Sequence, residues 1–203
     1  MKIYALEVCA AIAFVMCLFF SSSVQFQVRC EEIYTDVLRI HVLANSDSEE
    51  DQELKLEVRD AILETGEECF SGCTDFQSAT LKIEENLMLL LESANAVIAE
   101  NGFDYEVQIN IESVYFTTRS YDGFTLPAGY YQAVRVVIGE GEGENWWCVM
   151  FPALCLPSAE GELEIDDVLS GDEVEVVGSD PSFEVRFWVV EKYEEFKAWL
   201  EKE

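Results

Sequence analysis

The sequence predicts an α+β domain built on an antiparallel sheet: a strand, two helices, a three-strand meander, and a C-terminal strand and helix. Two long segments carry apolar residues at helical spacing, and a later segment alternates apolar and polar residues as a half-buried strand does. Half of the 203 residues are hydrophobic, so the chain can build a core. One globular domain is expected over residues 34–157.

The N-terminal end is expected to direct export. Residues 8–20 are apolar and uncharged, which is short for a membrane span and fits the apolar part of a secretory signal peptide. Small residues at Ser21 and Ser23 allow cleavage after Ser23. Residues 1–23 are therefore predicted to be a signal peptide, or alternatively an uncleaved membrane anchor, and the remainder is expected outside the cytoplasm.

The first strand and the two helices are predicted from local signals. Residues 37–46, "VLRIHVLANS", begin as a branched apolar run that is typical of a strand. Ser48 and Asp51 have capping-box spacing, so a helix is expected over residues 49–64. A second, longer helix should begin after Asp75 and end at Asn101-Gly102, because glycine readily adopts the left-handed conformation.

The meander and the C-terminal elements complete the prediction. The segment "DYEVQINIES" alternates strictly, whereas "YYQAVRVVIG" is more continuously apolar and is expected to be a central strand. A loop of alternating glycine and glutamate then leads into "NWWCVMF" as the third strand. Residues 158–180 are acidic and rich in glycine and serine, which predicts a flexible connection. Residues 181–203 are expected to form a strand, "FEVRFWVV", and an amphipathic helix.

The charge of the chain restricts its partners. The formal net charge is −29, which argues against nucleic acid and against anionic membrane surfaces, since both require a basic face. Contact with a membrane is therefore expected only through the N-terminal segment, if that segment is not cleaved. The charge favours basic or cationic partners without naming one.

Five cysteines follow the N-terminal segment, and two pairs are candidate disulfides. Cys69 and Cys73 flank a glycine, and Cys148 and Cys155 flank a proline, so each pair has a bend that allows bridging. Cys30 is left as an unpaired thiol. Only Cys69 and Cys73 have the spacing of a zinc knuckle, so no metal site is expected.

Three motifs are candidate sites of chemistry or recognition. The "GEGEGE" loop lacks the lysine and the following helix of a phosphate-binding loop, and its glutamates match no EF-hand spacing. His41 is the only histidine, and the chain has no G-x-S-x-G nucleophile motif to accompany it. Neither catalytic residues nor a cofactor are predicted. Trp146 and Trp147 should face opposite sides of a strand, leaving one to serve recognition or to pack under the C-terminal helix.

The chain resembles the stage II sporulation protein R family. The resemblance lies in "LRIHVLANSDSEEDQELKLEVRDAIL", in "FTLPAGYYQAVRVVIGEGEGENWWCVMFPALC" and, more weakly, in "EVRFWVVEKYEEF". It implies a non-enzymatic signal, exported into the space between the septal membranes, that activates a membrane-embedded sporulation aspartic protease. That protease processes the sigma-E precursor.

The motifs "HVLANSD" and "GEGEGENWW" are expected to contact the partner or to define the shape of the contacting surface. The candidate residues are His41, Asn45, Ser46, Asp47, Tyr131, Arg135, Glu140, Glu142, Asn145, Trp146 and Trp147. Two alternative functions remain open at this point: an extracytoplasmic hydrolase centred on His41, and a purely structural septal protein.

Overall fold

The computed structural model describes residues 2–121, 124–152, 169–178 and 184–200. The helices are α1 (Lys2–Asp36), α2 (Glu49–Cys69), α3 (Phe76–Glu85), α4 (Leu87–Glu100), α5 (Gly171–Val177) and α6 (Glu184–Leu200). The strands are β1 (Leu38–Leu43), β2 (Val107–Phe116), β3 (Arg119–Ser120), β4 (Thr125–Leu126), β5 (Gly129–Ile138) and β6 (Asn145–Phe151).

The main sheet has the strand order β2-β5-β1-β6, and β3 pairs with β4 in a separate hairpin. The predicted α+β class is confirmed, but the sheet is mixed rather than antiparallel, because β1 runs parallel to β5. β1 also lies between β5 and β6, so these two strands are not neighbours as a meander requires. The Gly/Glu loop between them crosses the end of β1, where the amide of Gly143 donates to the carbonyl of Ala44 at 3.0 Å.

Both faces of the sheet are covered by helices. On one face α2, α3 and α4 pack on a core that includes Ile40, Leu54, Ile62, Ile83, Leu90 and Val134. On the other face α1, α5 and α6 pack on a core that includes Cys30, Ile33, Phe116, Tyr131, Val149 and Phe187. Every residue of β1 except Leu43 is buried, as the central position of this strand requires.

The helix caps follow the local signals in the sequence. The side chain of Ser48 accepts from the amide of Asp51, and Asp75 accepts from the amide of Ser78. The long second helix, however, is two helices that meet at Asn86. The side chain of Asn86 donates to the carbonyl of Lys82 at 2.8 Å, so it occupies an acceptor near the end of α3.

The C-terminal strand prediction is wrong, since "EVRFWVV" is the first part of α6. Its buried residues are Phe187, Val190 and Glu194, a spacing that belongs to one face of a helix. The predicted flexible connection is described only in part. Residues 171–177 of it form α5, and residues 158–168 and 179–180 lie outside the described residues.

The exposure of the side chains of α1 changes along the helix. Ile12, Phe14 and Met16 are exposed, whereas Phe26 is buried against Phe187 of α6, at a ring-centroid distance of 5.5 Å. No helix in the described part of the chain is both long enough and apolar enough to span a membrane. Cleavage after Ser23 stays a prediction.

The state of the cysteines differs in part from the pairing that the sequence predicts. Cys69 and Cys73 are both free thiols, so the predicted bridge between them is wrong. Cys73 is buried in the core under α2, while Cys69 at the end of that helix is only partly buried. Cys30 is a free buried thiol, as expected, and burial raises its pKa to about 12. Cys155 lies outside the described residues, so its bridge to Cys148 stays a prediction.

Candidate functional site

The turn between β1 and α2 is held together by the carboxylate of Asp51. Its Oδ2 accepts from Asn45 Nδ2 at 2.9 Å and from Ser46 Oγ at 2.5 Å. Burial acts to raise the pKa of Asp51, but the hydrogen bonds from Ser46 and Asn45 outweigh it and hold that pKa below its ordinary value. The turn is therefore fixed by an ionised, fully bonded carboxylate at the start of α2.

The Gly/Glu loop docks on this turn. Asn45 Oδ1 accepts from the amide of Glu140 at 3.0 Å, and Asp47 Oδ1 accepts from the amide of Glu144 at 2.7 Å. Gly139 has a φ of 57° and lies so close that an added Cβ would be 2.2 Å from Asn45 Oδ1. The two sequence motifs, separated by about half the chain, thus form one rigid structure, while the side chains of Glu140 and Glu142 remain exposed.

His41 lies below this loop in the centre of the sheet. Its ring stacks on the indole of Trp147, with centroids 3.7 Å apart and an interplanar angle of 7°. His41 Nε2 lies 2.6 Å from Asn145 Oδ1, and because an amide oxygen only accepts, Nε2 carries the proton and donates. Burial lowers the pKa of His41, and the nearby Arg135 lowers it further, although the bond to Asn145 opposes the shift. His41 is therefore a neutral, positioned side chain.

A surface groove of about 660 Å³ lies beside these residues, and we call it the tryptophan groove. One wall is the first half of α2, the floor is the start of β6, and the opposite wall is β3 with the residue that follows it. The lining residues are Glu49, Gln52, Glu53, Lys55 and Leu56 on α2; Glu144, Asn145, Trp146 and Trp147 on the floor; and Arg119, Ser120 and Tyr121 on the third side.

Trp146 is the most exposed large apolar side chain of the groove, with 37% of its surface accessible. The guanidinium of Arg59 lies 4.3 Å from its ring centroid, so α2 supports the indole from one side. Trp147 instead stacks on His41, so the two indoles lie on opposite faces of β6. Of the two, Trp146 is the more exposed.

The remaining candidate residues lie apart from the groove. Tyr131 is fully buried and donates its hydroxyl to the carbonyl of Pro127 at 2.7 Å, so its role is to shape the fold. Arg135 pairs with Glu112 at 3.3 Å and neighbours His41 across the sheet. Neither side chain lines the groove.

Sequence reasoning missed a group on the third side of the groove. Arg39 is fully buried, its guanidinium carbon lies 3.9 Å from the ring centroid of Phe116, and its Nη2 donates to the hydroxyl of Tyr121. Tyr121 and Arg119 both line the groove. The one feature of the sequence that could have indicated this group is the arginine inside the apolar run "LRIHVL". An arginine at that position is equally compatible with an ordinary exposed residue of a strand.

The groove brings together polar, charged and aromatic side chains. In the described ranges, no group of three or more His, Cys, Asp and Glu side chains is arranged to hold a metal ion. His41 Nδ1 is buried without a hydrogen-bond partner, and its Nε2 is engaged by Asn145. The groove instead offers an indole, a carboxylate-rich wall and two polar groups on β3, which suits the recognition of a polypeptide segment.

Comparison with known proteins agrees with the resemblance seen in the motifs. The family model for stage II sporulation protein R matches residues 34–161. A stage II sporulation protein R from Bacillus subtilis (strain 168) is 34% identical over 126 residues, which cover 62% of this chain and 56% of that relative. No solved structure matches the chain. Because the family model covers more than half of the 203 residues, the protein belongs to the stage II sporulation protein R family.

Proposed function

We propose that this protein is an exported signal that binds and activates a membrane-embedded aspartic protease, which then processes the sigma-E precursor. Membership of the family supports the role in sporulation. The activating step is a binding step: the protein stabilises the active arrangement of the protease and thereby raises its population.

The observation that carries this proposal is the junction of the two motifs at the tryptophan groove. The loop that contains Glu140 and Glu144 is bonded to Asn45 and Asp47, so the groove is formed before any partner arrives. A preformed surface loses little conformational entropy on binding, which favours affinity. Trp146 projects from it, and tryptophan is the residue type most enriched among energetically dominant interface contacts.

The charges of the groove support a partner segment that carries basic residues. Glu49, Glu53 and Glu144 all line it. The ammonium of Lys55 between them is already engaged, since it donates to Gln52 Oε1 at 2.5 Å and to the carbonyl of Glu144 at 2.9 Å. Together with the net charge of −29, these carboxylates attract a cationic segment and speed its encounter with the groove.

The packing of α1 supports export with cleavage after Ser23. Among the side chains of α1 that the structure describes, the buried ones are Phe26, Cys30 and Ile33, which all follow the predicted cleavage position. Ile12, Phe14 and Met16, which are described apolar side chains before that position, are exposed. Removing residues 1–23 would leave these three buried side chains in place.

The geometry of His41 weighs against the hydrolase alternative. Its ring is only 5% exposed and is covered by Trp147. Its Nε2 already carries a proton, which it donates to Asn145, and its other nitrogen, Nδ1, is buried, so neither nitrogen is placed to take the proton of a nucleophile. The contacts of His41 instead connect β1 to β6 and hold Trp147 in place.

The test is reconstitution in a host that does not sporulate. The full chain is expressed together with the candidate protease and an epitope-tagged sigma-E precursor, and cleavage of the precursor is measured by immunoblot. We expect processing that requires both the protease and this protein. Equal processing with and without this protein, at matched protease levels, would show that it is not the activator.

A further inference from the structure

Arg39 is a buried cation without an anion. Its side chain is fully buried, and no ion pair joins it to any acidic group of the described residues. It is held by the rings of Phe116 and Tyr131, at 3.9 and 4.9 Å from its guanidinium carbon, and by the carbonyl of Cys148 at 3.4 Å from Nε. Its Nη1 has no hydrogen-bond partner. Burying a charge is costly unless it is paired and its hydrogen-bonding groups are satisfied, and here one donor is not.

Tyr121 connects this buried charge to the groove. Its hydroxyl oxygen accepts from Arg39 Nη2, so its own hydrogen remains available for donation. Within the described residues, no acceptor is bonded to that hydrogen, and Tyr121 lines the groove. Arg39 therefore polarises the hydroxyl of a residue that lines the groove.

Arg119 adds a second cation at the same place. It is exposed, it lines the groove next to Tyr121, and it has no ion-pair partner in the described part of the chain. Arg119 is close enough to act on the pKa values of both Arg39 and Tyr121, lowering each.

We propose that Arg119 and the hydroxyl of Tyr121, backed by Arg39, form a binding site for a carboxylate of the partner polypeptide. One carboxylate oxygen accepts from the guanidinium of Arg119, and the other accepts from the Tyr121 hydroxyl. The indole of Trp147, which also lines the groove, provides an apolar surface for the rest of that residue. The proposal rests on the proposed function in taking the partner to be a polypeptide, and it adds a single acidic anchor to the basic residues that the α2 wall attracts.

The test measures binding of short synthetic peptides to the full chain. One peptide, acetyl-Gly-Val-Glu-Val-Gly-amide, is compared with its Gln counterpart, and acetyl-Gly-Val-Gly-Val with a free C-terminus is compared with its amide. Binding is followed through the indole N–H signal of Trp147 in a ¹⁵N-tryptophan-labelled sample, assigned with Trp147→Phe. We expect the carboxylate member of at least one pair to bind about tenfold tighter than its neutral counterpart. A preference in the Glu/Gln pair would identify the carboxylate as a side chain, and a preference in the acid/amide pair would identify it as a chain terminus.

Variants separate this site from general charge effects. Arg119→Gln and Tyr121→Phe should each remove most of the preference for the carboxylate, whereas Lys82→Gln, which removes an exposed cation on α3, should leave it unchanged. Equal affinity within both pairs, no binding by any peptide, or a preference that survives Arg119→Gln would overturn the proposal. Because these measurements need no protease, they can fail while reconstituted processing succeeds, or succeed while it fails.

Discussion

The rings of His41 and Trp147 are cross-strand partners in the register of β1 and β6, and they stack with 3.7 Å between their centroids. Trp147 also meets Phe116 edge to face, at 4.8 Å. One indole therefore closes the sheet over the histidine and forms part of the groove floor. This contact makes the stability of β6 and the shape of the tryptophan groove depend on the same side chain.

Trp147→Ala should destabilise the protein and change the titration of His41. Losing the stacked indole should lower the free energy of unfolding by about 2 kcal/mol, since the side chain is only half-buried. The pKa of His41 should rise towards its ordinary value of 6.5, because burial is the main cause of its lowering. Urea denaturation and NMR titration of the imidazole measure the two effects. Trp147→Phe keeps an aromatic cover, so an equal pKa rise in that variant would contradict this explanation.

Trp146→Ala should abolish activation of the protease while leaving the stability of the protein nearly unchanged. The exposed indole contributes a cation–π contact with Arg59, which is worth about 0.5–1 kcal/mol at an exposed site, so the fold should be nearly unaffected. Processing of the sigma-E precursor in the reconstituted system should be lost, because the presented contact is gone. Trp188→Ala is the matched control, since Trp188 of α6 is also an exposed tryptophan, at 60%. Equal loss of processing in both variants would place the contact elsewhere.

Gly139→Ala should be far more damaging than Gly102→Ala. Both glycines have positive φ, 57° and 77°, so each substitution costs about 1–2 kcal/mol of backbone strain. At Gly102 an added methyl group meets nothing within 4 Å, but at Gly139 it would meet Asn45 Oδ1 at 2.2 Å. Overpacking adds about 1–3 kcal/mol at Gly139, and the loop should lose its bond to Asn45. Comparable unfolding midpoints for the two variants would show that the loop is not docked on Asn45.

The parts of this site that the sequence predicted are those determined locally. The cap at Ser48 depends on a spacing of three residues, and the opposite orientation of Trp146 and Trp147 follows from the two-residue period of a strand. Both can be recognised without knowing what lies next to them. The same local reasoning found the four strands of the main sheet, but it read the start of α6 as a strand and joined α3 and α4 into one helix.

The rest depends on contacts between distant segments. The insertion of β1 between β5 and β6 leaves no periodic signal, because pairing order is decided by how the loops cross the sheet. The burial of Arg39 also depends on distant segments, because only the groups packed around an arginine determine whether it is buried or exposed. Its partner Tyr121 follows it by 82 residues. No property of the two segments taken separately predicts their contact.

The cysteines should divide into two chemical classes. Alkylation of the purified protein under denaturing, non-reducing conditions should modify Cys69 and Cys73, which are free thiols. Cys148 and Cys155 should react only after reduction, if the predicted bridge between them forms in an oxidising compartment. Peptide mass spectrometry measures both reactions. Full alkylation of Cys148 before reduction would exclude the bridge. The same assay on Cys73→Ser is the control for thiol–disulfide exchange between Cys73 and the predicted bridge.

The junction of α1 and α5 should make stability decrease as the pH rises through about 6. Asp36 at the end of α1 has its pKa raised from 3.8 to about 6, first by burial, then by the charge of Glu173 and a hydrogen bond to it, and also by Glu32. Glu173 is fixed in place, because its Oε2 accepts from the amide of Ser170 at 2.6 Å as part of the α5 capping box. When Asp36 loses its proton, its negative charge is buried near the negative charge of Glu173, which destabilises the folded state.

The direction follows from which state of the protein binds the proton. Well below pH 3.8, Asp36 is protonated whether the chain is folded or unfolded, and its contribution is fully present. Between pH 4 and pH 6 only the folded state keeps the proton, so the contribution is lost as the pH rises. Asp36→Asn should thus stabilise the protein at pH 7.5 relative to the wild type, and progressively less towards pH 4.5, in urea denaturation series. Glu84→Gln, at an exposed position of α3, should show no such trend. A pH-independent effect of Asp36→Asn would mean that the pKa of Asp36 is not raised in the folded state.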